Sequence, residues 1–468
     1  MMSPRIAAMT RPSCRVGGRP GWNDAMNGLP GMVGSGMPET YELLLLLKYV
    51  KKVVGTYKRP VIIPTELNKM ITTVNEALDD LDDSGFEDPE DLPLDVPPEL
   101  FNYWDVVASA RENYRNDVQY YFFGNTTSLS AVQVVDMLDR WIEQVEIGIG
   151  RAMKFGSRGD GDDGTTGVSP SYFSYDVTKW KLNKNKNAVG LPLVNALAMR
   201  VGTFPLFLEG PVRHLKTMQD DPEATKDVYN NVLNSGLRDN VLNMYFLSAS
   251  LKGQSYDMGR MMAFSPGWLE NQSIWLHMSY KYYLQLIRGK LYDEFFAEMK
   301  GGGILPFMDP DVYGRSLMEC SSFIASSAFS DPNTHGRGFL ARLSGSTAEF
   351  MNIWFLMFVG PEPFFLNKDG KLEMQLVPAL SSWLFEDEDN KGTRDENGHL
   401  TVSFKLFSSI LVTYHNSDGG DLYGESPTGY KITMKDGSVH DISEPTIPAE
   451  LAVAIRKVIS VDSIDAYF

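Results

Sequence analysis

The chain has 468 residues, 43% hydrophobic and 12% aromatic, so it can form a large core and is not disordered as a whole. Lys and Arg number 43 against 60 Asp and Glu, and a net charge of −17 disfavours nucleic acid as a partner. Cys14 and Cys320 cannot form a disulfide framework or a zinc site unaided, which indicates a reducing, cytoplasmic location. No apolar run approaches the roughly 20 residues that cross a bilayer, so no membrane partner is expected.

Most of the first 360 residues have helical patterns. A loop rich in Gly and Pro spans 17–38, where a regular element is unfavourable. Apolar spacing predicts a helix from about Pro38 and others at roughly 66–82, 98–122, 128–154, 222–237, 272–288, 290–300, 314–328 and 346–359. Residues 171–216 mix strand-like and loop character, and the four lysines within Lys179–Lys186 favour a solvated loop.

The pattern changes after Gly360, where short β-type segments are separated by Gly, Asp and Asn. The predicted strands are Leu372–Val377, Leu400–Leu406, Ile410–Tyr414 and Tyr430–Met434, the last followed by the turn signal Asp436-Gly437. We therefore predict a boundary near residue 360, with a helical part before it and a β-rich part after it. Many antiparallel helices with functional loops between them suit an α-helical toroid.

The first candidate site is Trp22-Asn23-Asp24, inside the glycine-rich loop. An indole can stack on the apolar face of a sugar ring, while burial raises the pKa of a carboxyl group so that it can donate a proton. This pairing is typical of the acid in a sugar-cleaving enzyme. An ordinary Asx-turn in a Gly-rich loop is the alternative.

The second candidate site contains Glu270 and His277, which lie seven residues apart. Seven residues are about two helical turns, so both side chains can lie on the same side of the helix. The alternatives are a hydrogen-bonded core histidine and a carboxylate that only favours the helix dipole.

The third candidate site is Ser344-Gly345-Ser346, at the predicted start of a helix and near Arg337 and Arg342. Small hydroxyl residues and free backbone N–H groups at a positive helix end favour an anion. A capping box is the alternative, because Ser346 and Glu349 have the spacing of one.

In order and spacing, the three motifs resemble those of the inverting β-glucoside phosphorylases, namely the cellobiose phosphorylase group of glycoside hydrolase family 94 and its β-1,3-glucan relatives. Those enzymes carry a Trp-Asn-Asp motif, a Glu-Asn-Gly-Gly-type motif with a His seven residues after its Glu, and a Thr-Gly-Thr phosphate loop. The resemblance covers 17–50 and 260–416 well. Departures are Gly21 for an acid, Gln272 for a Gly, and the serines of Ser344-Gly345-Ser346 for threonines.

The resemblance implies a role for each matching residue. Asp24 would be the catalytic proton donor, and Trp22 and Glu270 would bind the sugar. The other three, His277, Ser344 and Gly345, would bind phosphate. The reaction would cleave a β-glucosidic oligosaccharide with inorganic phosphate to a sugar 1-phosphate, with no cofactor and no metal.

The resemblance also implies a mainly α fold. Residues 17–360 would form the second half of an (α/α)6 barrel, and 361–468 a small antiparallel β domain. Residues 1–16 would be a non-homologous or disordered leader. We expect the C-terminal half of a longer enzyme, which could be inactive as this shorter chain, with a homodimer as an option for the full-length enzyme.

Two other functions are compatible with the sequence. One is an inverting glycoside hydrolase on the same barrel, with Glu270 or Glu349 as the base at roughly 6.5–9.5 Å from the acid. The other is a truncated, non-catalytic carbohydrate-binding fragment.

Overall fold

The computed structural model describes residues 34–156, 167–186, 190–304, 309, 311, 323–340, 344–386 and 392–468. The chain divides into two compact units. The first unit is Met1–Gln285 with Gly301–Arg342, and the second is Leu286–Lys300 with Leu343–Phe468.

Amphipathic helices form much of the first unit. They are α1 (Met37–Tyr57), α2 (Thr65–Asp83), α3 (Pro98–Asp117), α4 (Ala131–Gly156), α5 (Glu209–Lys216), α6 (Pro222–Leu233) and α7 (Leu276–Arg288), whose end belongs to the second unit. Proline at the first turn favours the start of α1, α3 and α6, because a first-turn residue needs no intrahelical N–H bond. None of the helices in the described ranges is long and apolar enough to cross a membrane.

The first four helices share one apolar core. The apolar side of α4 forms part of this core, since Leu138, Trp141 and Val145 are buried against residues of α1, α2 and α3. Trp141 also donates its indole N–H to Asn75 Oδ1 at 2.9 Å, so its one polar atom is satisfied. Burial of each large side chain contributes about 1.5–3 kcal/mol, which makes this cluster a main source of stability.

Strands in the first unit are mostly short, except for one long hairpin. They are β1 (Gly34–Gly36), β2 (Val61–Pro64), β3 (Thr126–Leu129), β4 (Tyr172–Lys186), β5 (Pro192–Thr203), β6 (Arg238–Asp239), β7 (Met244–Tyr245), β8 (Ile274–Trp275), β9 (Phe323–Ile324) and β10 (Gly338–Leu340). The antiparallel pair β4 and β5 forms the hairpin, and β1 pairs with β4. Phe173 and Tyr175 of the hairpin are buried with Tyr41 of α1 and Trp104 of α3.

The second unit contains a six-stranded sheet. Its helices are α8 (Tyr292–Glu298), α9 (Ser344–Phe358) and α10 (Ala449–Arg456). Its strands are β11 (Phe364–Leu366), β12 (Leu372–Met374), β13 (Ala379–Leu380), β14 (Thr393–Arg394), β15 (Leu400–Leu406), β16 (Ile410–Asn416), β17 (Leu422–Tyr423), β18 (Gly429–Met434), β19 (Val439–Ile442) and β20 (Val461–Tyr467). The strand order is β14-β15-β16-β20-β18-β19, and only the β16–β20 pair is parallel.

The predicted mainly α fold, a half (α/α)6 barrel followed by a small β domain, is wrong. The described residues are 42% helical and 25% strand, with several sheets, so they do not form a mainly α toroid. Two regions contribute to the difference. Lys179–Lys186 lies in β4 and is not a loop, and the segment predicted as a helix at 314–328 contains β9 within its described residues. The lysine-rich part of β4 is almost entirely exposed, so no apolar alternation marked it as a strand.

Candidate functional site

The three predicted motifs have different positions relative to the described structure. Trp22 and Asp24, with Gly21, lie outside the described residues, so their predicted roles stay predictions. Glu270 and His277 lie in the first unit, whereas Ser344 and Gly345 lie in the second.

Glu270 lies in a tight loop that precedes α7. Its neighbours Gly267, Leu269 and Gln272 have φ values of 80°, 50° and 51°, all in the left-handed region that favours glycine. Gln272 thus has a backbone conformation that suits glycine. Non-glycine residues held in this region concentrate at functional sites, because the surrounding structure must compensate for their strain.

An ion pair holds the Glu270 side chain. The Arg260 guanidinium donates from Nη2 to Oε1 at 2.5 Å and from Nε to Oε2 at 3.2 Å. The Glu270 side chain is 12% exposed and that of Arg260 is 53% exposed, so the pair connects the buried loop to the surface. A bidentate pair fixes the carboxylate in one orientation and presents donors and acceptors side by side.

Trp275 links the Glu270 loop to His277. Its indole N–H donates to the Leu269 carbonyl at 2.7 Å, next to Glu270 in the chain. Its ring meets the His277 ring edge-on, with centroids 5.7 Å apart. On the other side of the loop, Trp268 packs 5.0 Å from the ring of Phe323. Aromatic contacts therefore anchor both ends of the segment that carries the carboxylate.

His277 is the second residue of α7 and is largely buried. Burial, with a smaller contribution from the positive charge of Lys281, lowers the pKa of His277 from 6.5 to about 4. The imidazole is therefore neutral at pH 7 and can donate one N–H. Lys281, one helical turn further on, is half-buried and has no ion pair within the described part of the chain. A neutral donor, a lysine and a helix N-terminus thus coincide, an arrangement suited to an anion.

Ser344 and Gly345 are the first two residues of α9. Backbone N–H groups in the first turn of a helix have no intrahelical acceptor, so this position offers donors to an anion. Ser346 lies inside α9 rather than before it, which does not fit the N-cap position that the capping-box alternative requires. A phosphate shared by these residues and His277 stays a prediction.

The sequence did not point to Arg260 or Lys281. Arg260 lies ten residues before its partner in a separate 3-10 segment, Tyr256–Ala263, so no periodic spacing connects the two. Lys281 could have been found from its spacing, since i and i+4 residues share a helix face with His277.

Gly267 is predicted to be essential for the shape of this loop. Alanine at Gly267 would place its Cβ 2.7 Å from the Phe329 Cα and in conflict with the Phe329 amide. We expect Gly267→Ala to lower the free energy of unfolding by about 3 kcal/mol or more, measured by urea denaturation. Gln272→Gly is the contrasting change, because glycine adopts a left-handed φ without strain. It should lower the free energy of unfolding by less than about 1 kcal/mol. Equal losses in both variants would contradict this account.

Comparison of the chain with protein-family models and with curated proteins finds no match. Among the described residues, no group of three or more His, Cys, Asp and Glu side chains could hold a metal ion.

Proposed function

We propose that this chain carries the chemistry of an inverting, cytoplasmic phosphorylase that cleaves a β-glucosidic oligosaccharide with inorganic phosphate. The proposal rests on one observation: a series of contacts connects the loop of Glu270 to the N-terminal part of α7, which carries His277 and Lys281. Trp275 bonds to the carbonyl beside Glu270 and packs on His277, which shares its helix face with Lys281. Contacts thus connect the residue proposed to bind sugar, Glu270, with the residue proposed to bind phosphate, His277.

In the proposed reaction, a phosphate oxygen attacks the anomeric carbon as the bond to the leaving sugar breaks. Asp24, as a neutral acid, transfers its proton to the leaving oxygen and is left as a carboxylate. The products are a sugar 1-phosphate of inverted configuration and a shortened sugar, and solvent returns the proton to Asp24. Phosphate is already an anionic nucleophile, so no catalytic base is required and the protein needs only to orient it.

The Glu270–Arg260 pair suits a sugar because one member accepts hydrogen bonds from hydroxyl groups and the other donates hydrogen bonds to them. The Glu270 oxygens accept from sugar hydroxyls and the exposed Arg260 N–H groups donate to them. The neutral His277 would donate to phosphate, and Lys281 would add a full positive charge. The phosphate-binding role of Ser344 and Gly345, which lie in the second unit, stays a prediction from the resemblance.

The test is a coupled assay for sugar 1-phosphate, with cellotriose or laminaritriose as the sugar and phosphate as the varied reactant. We expect product only when phosphate is present. Free glucose released at an equal rate without phosphate would identify a hydrolase. Saturable oligosaccharide binding without either product would identify a non-catalytic carbohydrate-binding chain. Either outcome would overturn the proposal.

Replacing His277 should act on phosphate more than on sugar. We expect His277→Ala and Lys281→Gln each to raise the KM for phosphate about tenfold, the usual effect of losing a hydrogen bond to a charged group. The KM for the oligosaccharide should change less than about twofold. The matched control is Lys252→Gln, because Lys252 is an exposed lysine of the same unit. Equal effects on both substrates would show that His277 and Lys281 only support the fold.

A further inference from the structure

A cavity of about 280 Å³ lies between α2 and α3 in the first unit. We call it the α2–α3 pocket, and its lining includes Glu66, Lys69 and Thr73 of α2 and Asn113 and Tyr114 of α3. Its volume is near the lower end of the range of small-molecule sites, about 300–1,000 Å³. Neither Glu270 nor His277 lines it.

Glu66 is the group in this pocket that most clearly needs a ligand. Its residue surface is 9% exposed, and Oε1 accepts the amide N–H of Phe123 at 2.8 Å. Oε2 is buried and has no hydrogen-bond partner among the described residues. Glu66 lies in the first turn of α2, where the helix dipole favours a negative charge. The dipole does not, however, supply a hydrogen-bond donor to Oε2. A buried acceptor without a hydrogen-bond donor costs about 1–3 kcal/mol of folding stability.

The rest of the pocket offers hydrogen-bond donors, acceptors and an apolar floor. Ser109 and Asn113 can donate as well as accept, while Asp105 and the Thr73 hydroxyl, which already donates to the Lys69 carbonyl, can accept. The apolar part of the lining consists of Met70, Val106 and Ala110. A pyranose matches this mixture, because its hydroxyls donate and accept while its C–H face is apolar. An organic cation would match only the acceptors.

Exposed aromatic rings follow the pocket in the chain. Tyr120, Tyr121, Phe122 and Phe123 are consecutive, and their exposures lie between 50% and 84%. The Phe123 amide is the group that holds Glu66, so this aromatic segment reaches the pocket. Four exposed rings in a row form an apolar surface of the kind that marks a binding site, and aromatic faces stack on sugar rings.

We propose that the α2–α3 pocket binds a pyranose unit of a neutral oligosaccharide, as a site separate from the Glu270 loop. Glu66 Oε2 would accept from a sugar hydroxyl, Asn113 would bond a neighbouring hydroxyl, and the aromatic segment would cover adjoining sugar units. The site holds sugar without cleaving it, so it does not depend on the proposed phosphorolysis.

Hydrogen–deuterium exchange of the full chain locates the binding directly. We expect millimolar laminaritriose or cellotriose to slow exchange in peptides covering 65–73 and 105–123. This readout separates the pocket from the Glu270 loop, whose peptides cover 260–277. No added protection at 65–73 and 105–123 with either sugar would overturn the proposal. Protection there by spermidine and not by either sugar would identify a cation site and would also overturn it.

Variants then test the residues of the pocket. Glu66→Gln keeps a carbonyl oxygen for the Phe123 amide but can place a donor where Oε2 accepts, so saccharide affinity should fall about tenfold. Asn113 is exposed, so Asn113→Ala should leave the thermal melt unchanged and weaken binding by about fivefold. Glu99→Gln is the matched control, because Glu99 is exposed on α3 outside the pocket. Unchanged affinity in both pocket variants would overturn the proposal.

The two proposals can fail separately. If Glu66→Gln loses protection at 65–73 while no sugar 1-phosphate forms in any variant, the pocket proposal stands and the phosphorylase proposal fails. If phosphorolysis depends on phosphate while sugars leave exchange at 65–73 unchanged, the reverse holds.

Discussion

Asp24→Asn is expected to reduce the rate of phosphorolysis by about 10²–10⁴-fold, the usual contribution of general acid catalysis. The amide has nearly the shape of the carboxyl group but cannot donate a proton to the leaving oxygen. Oligosaccharide affinity should therefore change less than about twofold. The measurement is the initial rate of sugar 1-phosphate release, with binding followed separately by calorimetry.

The control for this variant is Asp220→Asn, the same chemical change at an exposed acid of the first unit. It should leave the rate unchanged. A sugar with a good leaving group, such as a nitrophenyl β-glucoside, needs less proton donation and should recover much of the rate lost in Asp24→Asn. A rate in Asp24→Asn equal to that of the unmodified chain would remove Asp24 from the mechanism.

Mild acid is expected to destabilise the first unit through two buried histidines. Burial lowers the pKa of His214 from 6.5 to about 4, and burial together with Lys281 does the same for His277. Between pH 6.5 and pH 4 the unfolded chain therefore binds more protons than the folded chain, so stability falls as pH decreases. From pH 7.5 to pH 5 each histidine should contribute a loss of about 2 kcal/mol. Urea unfolding at the two pH values measures it.

His214→Phe isolates one of these contributions. The His214 ring stacks on Tyr41 with centroids 4.7 Å apart, so phenylalanine keeps the stacking and removes the titration. The loss of stability between pH 7.5 and pH 5 should shrink by about 2 kcal/mol relative to the unmodified chain. His440→Phe, at an exposed position of β19, should leave the loss unchanged. A full loss in His214→Phe would show that other groups cause the acid sensitivity.

Helices and strands with one buried face could be predicted from the sequence. The helix expected at 66–82 is Thr65–Asp83, and the strand expected at Leu400–Leu406 has those bounds. In both, apolar residues recur at the period of the element because one side contacts a core. The end of β4 lacks this signal, since its lysines face solvent and hydrogen bonds to β5 define the strand. Pairing between distant backbones leaves little trace in local composition.

The candidate site could be predicted only in part, for a related reason. Glu270 and His277 were found because they share a short segment with recognisable spacing. Arg260 was not, because its contact with Glu270 depends on how two irregular loops fold together. Glu66 was missed because only burial distinguishes it from an ordinary first-turn acid. Spacing indicates which residues can meet along one element, while desolvation and contacts between elements require the fold.

The strand order of the six-stranded sheet has a consequence for biosynthesis. Strand β20, the last of the six along the chain, lies between β16 and β18. During translation the β15–β16 and β18–β19 hairpins can form as they emerge, but they have no common partner until residues 461–467 leave the ribosome. Until then each hairpin keeps an open edge that can pair with another nascent chain. Slow synthesis between Ile442 and Val461 would therefore lengthen the period of greatest aggregation risk.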